Sequence, residues 1–443
     1  MLRYLNFIIV ALMWQSISAQ SGFQFPKSKN KVTVSFQLIN NLVIIPVKVN
    51  GVQLNFLLDT GVEDSVLFSL EATNQVQFEN VEQIKIQGFG NSESFYAIKS
   101  NNNILSLNGM VDSNHTIFLV LNQEINISTQ IGTPVNGILG YHFFKNHFVS
   151  TNYQTKKIKF IKKTERTERR LLKQFEMLPI QLYKGKPYIK AQSKTVDSVA
   201  SSDYTFLIDS GNSDAIWLMK DSNKNLIIGE PNFNDFLGKG FGGDVYGKRA
   251  RIQSFQIGRF LFKRPLVSFP DSKSNVVFDS IMNRNGTIGS EILKRFTVVF
   301  DYNQERVFLK RNNLFSDPFN YNMSGIEVEH QGLQWISNEL RELTLGQNNF
   351  FNANGERVFD NVKYKMELKP VYIISNVREN SPAAIAGLQK EDVISKINRK
   401  NGFSYKLQDI NNLLKSEEGK TITFEIDRKG KILVVSFELK SKI

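Results

Sequence analysis

The sequence predicts a mainly β protein that contains two tandem copies of one lobe, followed by a smaller α+β module. Two observations indicate the repeat. An apolar run that ends in Asp-Thr-Gly at residues 59–61 recurs as an apolar run that ends in Asp-Ser-Gly at residues 209–211. The pattern Asn-Gly-x-x-Gly follows each tripeptide, at residues 136–140 and 285–289. A third observation separates the module, because the chain stops following the repeat at about Asp317.

The two copies are predicted to span residues 31–161 and 178–311, with a charged linker at residues 162–177 that could be helical. A single Asp-Thr/Ser-Gly tripeptide carries little information, since such tripeptides are common in turns. Here the match continues downstream, which indicates a duplicated fold. The further matched pairs are Lys145 with Lys294, Val149 with Val298, Asn152-Tyr153 with Asp301-Tyr302, and Ile158 with Val307.

Both copies are rich in predicted strands. Runs of apolar and β-branched residues bounded by Asn and Gly are typical of strands. In the first copy they cover residues 43–49, 54–58, 116–121 and 157–161, and in the second residues 206–208, 216–219, 297–300 and 306–310. Helical periodicity is weak apart from short stretches such as residues 290–296. Each copy is therefore predicted to be a β lobe.

The α+β module is predicted at residues 318–443, with its core at residues 366–443, after a linker at residues 312–320. Strands are predicted at residues 371–377, 392–398, 421–426 and 432–439, with an earlier strand within residues 326–330. Helices are predicted at residues 381–388, where Pro stands near the start and Gly at the end, and at residues 407–415. The polar, Asn-rich stretch 335–365 is predicted to be an insertion in this module.

Residues 1–19 are predicted to be a signal peptide. Arg3 supplies a positive charge, residues 5–14 are nearly all apolar, and Ala19 is a small residue suited to cleavage. The apolar run is too short to span a membrane, although an uncleaved anchor is the alternative. No later run approaches about 18 apolar residues, so no membrane span is expected after cleavage. An exported protein without cysteine fits a bacterial periplasm or exterior.

Composition excludes several kinds of site. The 443 residues contain no cysteine, so a thiol nucleophile and a Cys-ligated metal are excluded. The four histidines form no His-Glu-x-x-His motif and no Gly-x-Ser-x-Gly accompanies them. We therefore expect solvated or half-packed histidines, no metal and no cofactor. The net charge of +13 is spread along the chain, which favours a basic surface over a nucleic-acid partner.

The repeated aspartates offer a specific chemistry. Asp59 and Asp209 each follow a fully apolar strand, so each is delivered from the interior of its lobe. Two such turns packed around a pseudo-two-fold axis would bring the carboxyl groups together, and two carboxylates in contact share one proton. One can then deprotonate a water molecule while the other donates to a carbonyl oxygen. This is general acid–base hydrolysis of an amide.

These motifs resemble the retropepsin and pepsin class of aspartic proteases, and the two copies resemble its single-chain, two-lobe arrangement over residues 31–311. The resemblance implies β-barrel lobes with Asp59 and Asp209 as the catalytic pair. It also implies a brace between the lobes, flap-like hairpins over the cleft and apolar-Gly segments behind the catalytic turns. The residues concerned are Thr60, Gly61, Ser210 and Gly211 in the turns, Gly88, Phe89, Gly90, Gly240, Phe241 and Gly242 in the flaps, and Leu139-Gly140 and Ile288-Gly289 behind the turns.

The match has departures. In this class the second residue after the tripeptide is usually Ser or Thr, whose hydroxyl supports the catalytic carboxylate. Ser213 stands there in the second copy, but Glu63 stands there in the first. An inward carboxylate would perturb the shared proton, so we expect Glu63 to point outward and Ser65 to help instead. Neither flap-like segment closely matches the tyrosine-bearing flap of pepsin.

The C-terminal module is similar to a PDZ domain of the bacterial protease-associated kind. The similarity rests on Ser-Pro-Ala-x-x-Ala-Gly-Leu at residues 381–388 and Asp-x-Ile-x-x-Ile-Asn at residues 392–398, with Glu391 where a Gly is usual. Such domains commonly bind a C-terminal peptide by strand addition, with loop amides holding its carboxylate. The loop expected to do this, at residues 367–370, lacks the usual glycines, and Pro370 has no N–H. A C-terminal peptide ligand and a structural or docking role are both open.

The sequence therefore predicts an exported aspartic-type endopeptidase that acts on peptides or proteins. The alternative is a non-catalytic peptide-binding or scaffold protein built on the same folds. A carbohydrate hydrolase would need its two carboxylates at least about 5 Å apart. A protease dyad would instead need hydrogen-bonding distance, about 2.5–3.5 Å.

Overall fold

The computed structural model describes residues 22–70, 75–86, 95–120, 127–196, 201–219, 226–240, 243–271, 283–341, 354 and 362–443. The predicted signal peptide and the flap residues Gly88, Phe89, Gly90, Phe241 and Gly242 lie outside these residues. Within the described ranges, no helix is long and apolar enough to cross a bilayer. The chain divides into two compact units, the first made of residues up to 126, 134–320 and 442–443, the second of residues 127–133 and 321–441.

The first lobe is a β structure in which three hairpins turn at asparagines, at residues 40–41, 50–51 and 108–109. Its strands are β1 (Lys31–Ser35), β2 (Gln37–Ile39), β3 (Leu42–Val49), β4 (Val52–Leu58), β5 (Ser65–Leu67), β6 (Val81–Ile86), β7 (Phe95–Leu107), β8 (Met110–Val120), β9 (Gly137–Leu139), β10 (Phe148–Asn152) and β11 (Lys157–Ile161). Between β8 and β9 lies helix α1 (Ile127–Ile131), and α2 (Tyr141–Phe144) follows β9. The turn at Asn50-Gly51 has φ angles of 48° and 91°, the left-handed values that a tight two-residue hairpin requires. One sheet has the order β2-β3-β4-β9-β5-β8-β7-β6.

The second lobe repeats this plan. Its strands are β13 (Gln181–Tyr183), β14 (Lys186–Lys194), β15 (Ser202–Ile208), β16 (Ile216–Leu218), β17 (Asn232–Gly240), β18 (Gly243–Arg251), β19 (Ser254–Ile257), β20 (Phe260–Lys263), β21 (Leu266–Pro270), β22 (Arg284–Ile288), β23 (Phe296–Asp301) and β24 (Arg306–Arg311). Helix α4 (Ser290–Leu293) follows β22, and a 3₁₀ turn at Tyr302–Gln304 follows β23. The sheet order is β17-β18-β21-β16-β22-β15-β14-β19-β20, with β13 paired to β14. The parallel pairs β4–β9 and β15–β22 correspond, as do the parallel pairs β5–β8 and β16–β21.

A third sheet, which includes β12 (Glu176–Pro179), joins the lobes with the order β1-β11-β10-β23-β24-β12. Its central contact pairs β10 with β23, and Val149 lies opposite Phe300. The stretch 162–177, predicted as a linker, contributes α3 (Glu165–Gln174) and the start of β12 (Glu176–Pro179). Leu171 of α3 is buried against Phe148, Val299 and Phe308 of this sheet. The stretch therefore covers the joining sheet as well as connecting the lobes.

The prediction that residues 312–320 form a linker is wrong. The ring of Phe315 lies 4.9 Å from that of Phe262 and 5.6 Å from that of Phe296, and Phe319 is buried. The Arg295 guanidinium lies 3.8 Å from the ring centre of Phe319. Asn, Asp and Pro in this stretch suggest a loop, but its phenylalanines bury apolar area in the second lobe, which is the dominant favourable contribution.

The C-terminal module has a mixed α+β fold. Its elements are β25 (Ile326–Arg341), β26 (Val362–Val377), α5 (Pro382–Ile385), β27 (Val393–Ile397), β28 (Lys400–Asn401), a 3₁₀ turn at Gly402–Ser404, α6 (Leu407–Leu414), β29 (Thr421–Arg428) and β30 (Lys431–Glu438). The sheet order is β25-β26-β27-β29-β30, with β28 paired to β27. Ser381 caps α5 by accepting from the Ala384 amide at 3.2 Å. Ile374, Ile397, Ile410 and Phe424 are fully buried and form part of the core.

Two predictions for the module need correction. The insertion expected at residues 335–365 is ordered strand at both ends, because β25 runs to Arg341 and β26 begins at Val362. The loop expected at residues 367–370 is also strand, with Glu367 opposite Ile336 and Pro370 opposite Leu333. Cross-strand pairing over this length outweighs the low strand preference of its polar residues and Pro370.

Candidate active site

Each predicted catalytic aspartate follows the end of a buried strand that pairs with a parallel strand, β4 with β9 and β15 with β22. The Asp59 amide donates to the carbonyl of Leu139 at 3.0 Å, and the Asp209 amide donates to the carbonyl of Ile288 at 3.0 Å. The apolar-Gly segments thus lie directly behind the two turns. The same local sequence produces the same local geometry twice.

The two carboxyl groups meet. Asp59 and Asp209 share a side-chain hydrogen bond, and Asp59 is only 9% exposed. The Gly61 amide donates to Asp59 Oδ1 at 2.6 Å, and the amides of Gly211 and Asn212 donate to Asp209 Oδ1 at 2.9 and 3.1 Å. Backbone amides therefore hold each carboxylate in its turn.

The glycines of the two tripeptides are required by space. A Cβ at Gly61 would lie 2.8 Å from Cγ of Asp209, and a Cβ at Gly211 would overlap the Asp59 carboxyl group. Each lobe thus presents a bare backbone to the aspartate of the other lobe. This close approach explains why glycine occupies both positions.

The environment of the pair favours the protonated form of Asp59. Burial first, and then the charge of Asp209, raises the pKa of Asp59 well above its usual range. A carboxyl group in contact with another carboxylate retains its proton because both cannot ionise together. The pair can therefore share one proton.

Thr60 and Ser210, the predicted brace, lie beneath the pair and are buried. The Thr60 amide donates to Ser210 Oγ at 3.0 Å, and the Ser210 amide donates to Thr60 Oγ1 at 3.0 Å. Their hydroxyls donate to the carbonyls of Ile208 and Leu58 at 2.7 and 2.9 Å. All four bonds cross between the lobes, so the relative position of the aspartates depends on them.

Ser213 and Glu63 both lie exposed at the rim of the site. The hydrogen bonds described for Asp209 come from backbone amides, so a supporting role of the Ser213 hydroxyl stays a prediction. The Ser65 hydroxyl, expected to help Asp59, is 2.7 Å from Nε2 of His115 instead. Its strand β5 points this side chain into the lobe interior, where it is buried.

His115 corrects the expectation that the histidines are solvated or half-packed. It is fully buried, and its Nδ1 lies 2.7 Å from Asp112 Oδ2. Ser65, His115 and Asp112 contact one another in the order of a Ser-His-Asp triad. Ser65 is only 1% exposed, so substrate cannot reach its hydroxyl and the cluster is a structural network.

Asn41, a residue that the sequence did not single out, links the lobes at the second turn. It lies in the β2–β3 turn with φ 68°, and its amide nitrogen donates to the Ser213 carbonyl at 2.9 Å and to Glu291 Oε2 at 2.8 Å. Lys294 Nζ donates to Asn41 Oδ1 at 3.1 Å. An Asn pair between apolar strands predicts a turn, but its partners lie too far along the chain to be predicted from it.

Glu291 continues this network into the second lobe. Its other carboxylate oxygen, Oε1, lies 2.8 Å from Nη2 of Arg295. The buried Arg295 guanidinium also donates to the carbonyls of Leu314, Phe315, Asp317 and Pro318. The network therefore connects the turn of Asp209 to residues 312–320.

Two buried tyrosines, matched by the repeat, lie under the catalytic turns. Tyr153 hydrogen-bonds to Ser290, whose hydroxyl donates to the Ser210 carbonyl at 2.9 Å. Tyr302 stacks on Tyr141 with ring centres 5.9 Å apart. Burial first, and then the charge of Asp59, raises the pKa of Tyr302. Burial likewise raises the pKa of Tyr153, so both phenols remain neutral.

The strands on either side of the flap-like segments pair with each other in both lobes. Ile86 of β6 pairs with Phe95 of β7 on either side of residues 87–94. Gly240, the described flap residue, pairs with Gly243 across residues 241–242. Exposed tyrosines, Tyr96 and Tyr246, stand on the second strand of each hairpin, 150 residues apart. The repeat thus includes an aromatic position that the flap comparison by sequence missed.

Comparison with known proteins agrees with these features. Residues 45–143 match the family model described as aspartyl protease, and residues 373–428 match the model described as PDZ domain. A solved structure of an aspartic proteinase from Irpex lacteus is similar, at 13% identity and a TM-score of 0.42, over 66% of this chain and 100% of that one. No curated protein matches the sequence. The resemblance to retropepsin-like proteases and PDZ domains, and the mainly β fold class, are confirmed.

Proposed function

We propose that this protein is an aspartic-type endopeptidase whose acid–base pair is Asp59 and Asp209. The observation that carries the proposal is the shared hydrogen bond between these two carboxyl groups, held by matched turns from two lobes. The aspartyl protease match over the first lobe supports the same reaction class. Contact between the carboxyl groups disfavours a carbohydrate hydrolase, which needs them at least about 5 Å apart.

The geometry suggests the following steps. Asp209, as carboxylate, takes a proton from a water molecule, whose oxygen attacks the scissile carbonyl carbon. Asp59, which holds the shared proton, donates it to the carbonyl oxygen, giving a neutral tetrahedral diol. The proton on Asp209 then passes to the amide nitrogen as the C–N bond breaks. Asp59 recovers its proton as the carbonyl re-forms, so the pair returns to its singly protonated state.

The test is digestion of a peptide library by the wild type and by Asp59→Asn and Asp209→Asn, across pH. Each variant should lose cleavage by about 10²–10⁴-fold, the usual contribution of a general acid or base. Asp203→Asn, the same chemical change at an exposed position of the second lobe, is the matched control and should cleave normally. Full activity in Asp209→Asn with a folded circular dichroism spectrum would contradict the mechanism. Absence of cleavage by the wild type would favour the peptide-binding alternative.

Inhibition and pH provide two further checks of the same mechanism. Pepstatin-like mimics of the tetrahedral diol should inhibit the enzyme. Cleavage should decline as pH rises through the raised pKa of Asp59, because the pair then has no acid. This decline with rising pH should be absent from the residual activity of Asp59→Asn.

We also propose that the chain is exported and that its PDZ module docks substrates or partners. Arg3, the short apolar core and Ala19 support a mature N-terminus near Gln20. N-terminal sequencing of protein from the native host tests this directly. A cytoplasmic protein that still begins at Met1 would contradict export.

A further inference from the structure

A short segment whose sequence lies between two strands of the first lobe belongs to the same compact unit as the PDZ module. Residues 127–133 connect β8 with β9 in the chain, yet they belong to the same compact unit as residues 321–441. Within this unit, α1 packs against β25, and α6 packs against the same strand. In the described part of the module, β25 stands at the edge of the sheet.

The contact between the segment and α6 is close. Gly132 ends α1, and its amide donates to the Ser128 carbonyl at 2.8 Å. A Cβ at Gly132 would lie 2.7 Å from Cβ of Leu407, the first residue of α6. Ile131 and Leu407 are both buried. The segment therefore fits against the module without room for a larger residue at position 132.

This location matters because of how PDZ domains take ligands. A peptide ligand adds as a strand to an exposed sheet edge. Here the edge strand β25 and the adjacent helix α6 are both in contact with residues 127–133. A strand added along β25 beside α6 would therefore lie close to α1 and Gly132.

A second observation concerns the other half of PDZ recognition, the loop that holds a terminal carboxylate. Residues 367–370, where the sequence placed that loop, are paired in register with residues 333–336 of β25. These residues form ladder bonds of the sheet and do not form a loop of free amides. A free C-terminus bound at β25 would therefore meet residues 127–133 and would not find the expected loop at residues 367–370.

We propose that residues 127–133 act as a built-in ligand that closes the peptide groove between β25 and α6. The module then holds a segment of its own chain, and an external peptide binds only after that segment leaves. Covalent linkage keeps the segment at a high effective concentration, on the order of millimolar for a short connection. The apparent affinity for an external peptide is therefore the intrinsic affinity multiplied by the fraction of molecules whose groove is open.

The experiment compares Gly132→Val with Gly419→Val in the full chain. Gly132 has φ 72° and Gly419 has φ 84°, so both substitutions carry the same backbone strain, but a Cβ at Gly419 meets nothing within 4 Å. The probe is a fluorescent peptide of residues 126–134, whose binding is followed by anisotropy. Gly132→Val should bind it at least about 10-fold more tightly than the wild type and Gly419→Val, because the tethered copy no longer competes.

Hydrogen exchange of the same proteins locates the change. Amides of β25 and α6 should exchange faster in Gly132→Val, while those of β29 keep their wild-type rates. Ile131→Ser removes a buried apolar side chain without adding bulk and should have the same effect. It provides the test if Gly132→Val does not fold. Equal probe affinity in wild type, control and both variants, with unchanged exchange at β25 and α6, would overturn the proposal. None of these measurements needs catalysis, so they do not depend on the proposed enzyme activity.

Discussion

Thr60 and Ser210, which are 150 residues apart, each accept the other's backbone N–H at 3.0 Å with their hydroxyl oxygens. Each hydroxyl also donates to the carbonyl of the residue that precedes the other lobe's aspartate. Each hydroxyl therefore donates one hydrogen bond and accepts one across the lobe boundary. The pair ties the turns of Asp59 and Asp209 together directly beneath their carboxyl groups.

Thr60→Val should destabilise the two β lobes by about 1–3 kcal/mol, because it keeps the shape of the side chain but leaves the buried Ser210 amide and Ile208 carbonyl without this hydroxyl partner. Urea unfolding measures this, followed by Trp217 fluorescence in a Trp335→Phe background that begins at Gln20. Thr60→Ser keeps the hydroxyl and is the matched control, with a smaller expected loss. Equal losses in both variants would show that the methyl group matters and the hydrogen bonds do not.

Asn41→Asp should lower kcat by about 10- to 100-fold, since small displacements of catalytic groups have effects of this size. The new carboxylate oxygen would face the Ser213 carbonyl and Glu291 and repel the turn that carries Asp209. Asn108→Asp is the control, because Asn108 has the same left-handed turn geometry and donates to the Thr33 carbonyl. Steady-state cleavage of a short peptide provides the measurement. A kcat equal to that of Asn108→Asp would show that Asn41 does not position the turn that carries Asp209.

A chain ending after Asn320 should fold and cleave short peptides, whereas one ending after Ser316 should be less stable by about 3–5 kcal/mol. The shorter chain loses the buried Phe319, a deletion comparable to truncating a core phenylalanine. It also removes the Asp317 and Pro318 carbonyls from the buried Arg295 guanidinium. Thermal unfolding of both truncations tests the difference, and equal midpoints would contradict it.

The same truncation after Asn320 tests the division of labour between protease and module. Cleavage of a short peptide should be unchanged, while cleavage of a long unfolded protein should fall, because docking raises the local substrate concentration. Both rates are measured for full-length and truncated enzyme. If a folded truncation loses both activities equally, the module is part of the catalytic machinery.

His142 should make stability depend on pH. Burial first, and then electrostatic interactions with His115 and Lys145, lowers the pKa of His142 from 6.5 to about 4. Between these values the unfolded state binds the proton and the folded state does not, so the free energy of unfolding rises as pH rises from 4 to 6.5. His142→Gln lacks this pH-dependent contribution. Relative to the wild type, the free energy of unfolding of His142→Gln should therefore decrease as pH rises from 4 to 6.5. Urea unfolding at several pH values in this window measures the difference, and parallel curves would rule out a contribution from His142.

Local sequence determined the parts of this protein whose structure depends on neighbours in the chain. Apolar runs followed by Asp-Thr/Ser-Gly predicted the two turns, because a buried strand must end where a polar residue and a glycine permit a sharp change of direction. Repetition of the pattern after 150 residues predicted that Asp59 and Asp209 would meet. The PDZ-like run at residues 381–398 identified the module in the same way, through spacing along a short segment.

Tertiary structure alone decided the contacts between segments that are distant in sequence. Ser65 hydrogen-bonds to His115 because neighbouring strands bring the two side chains together. Asn41 donates to the Ser213 carbonyl because the two lobes bring these residues together. No local sequence pattern encodes either distance. Residues 312–320 look like a linker by composition, yet Phe315 and Phe319 pack into the second lobe. Likewise, nothing local links residues 127–133 with α6. Backbone preferences are set within a few residues, whereas burial and hydrogen-bond partners depend on which surfaces the complete fold brings into contact.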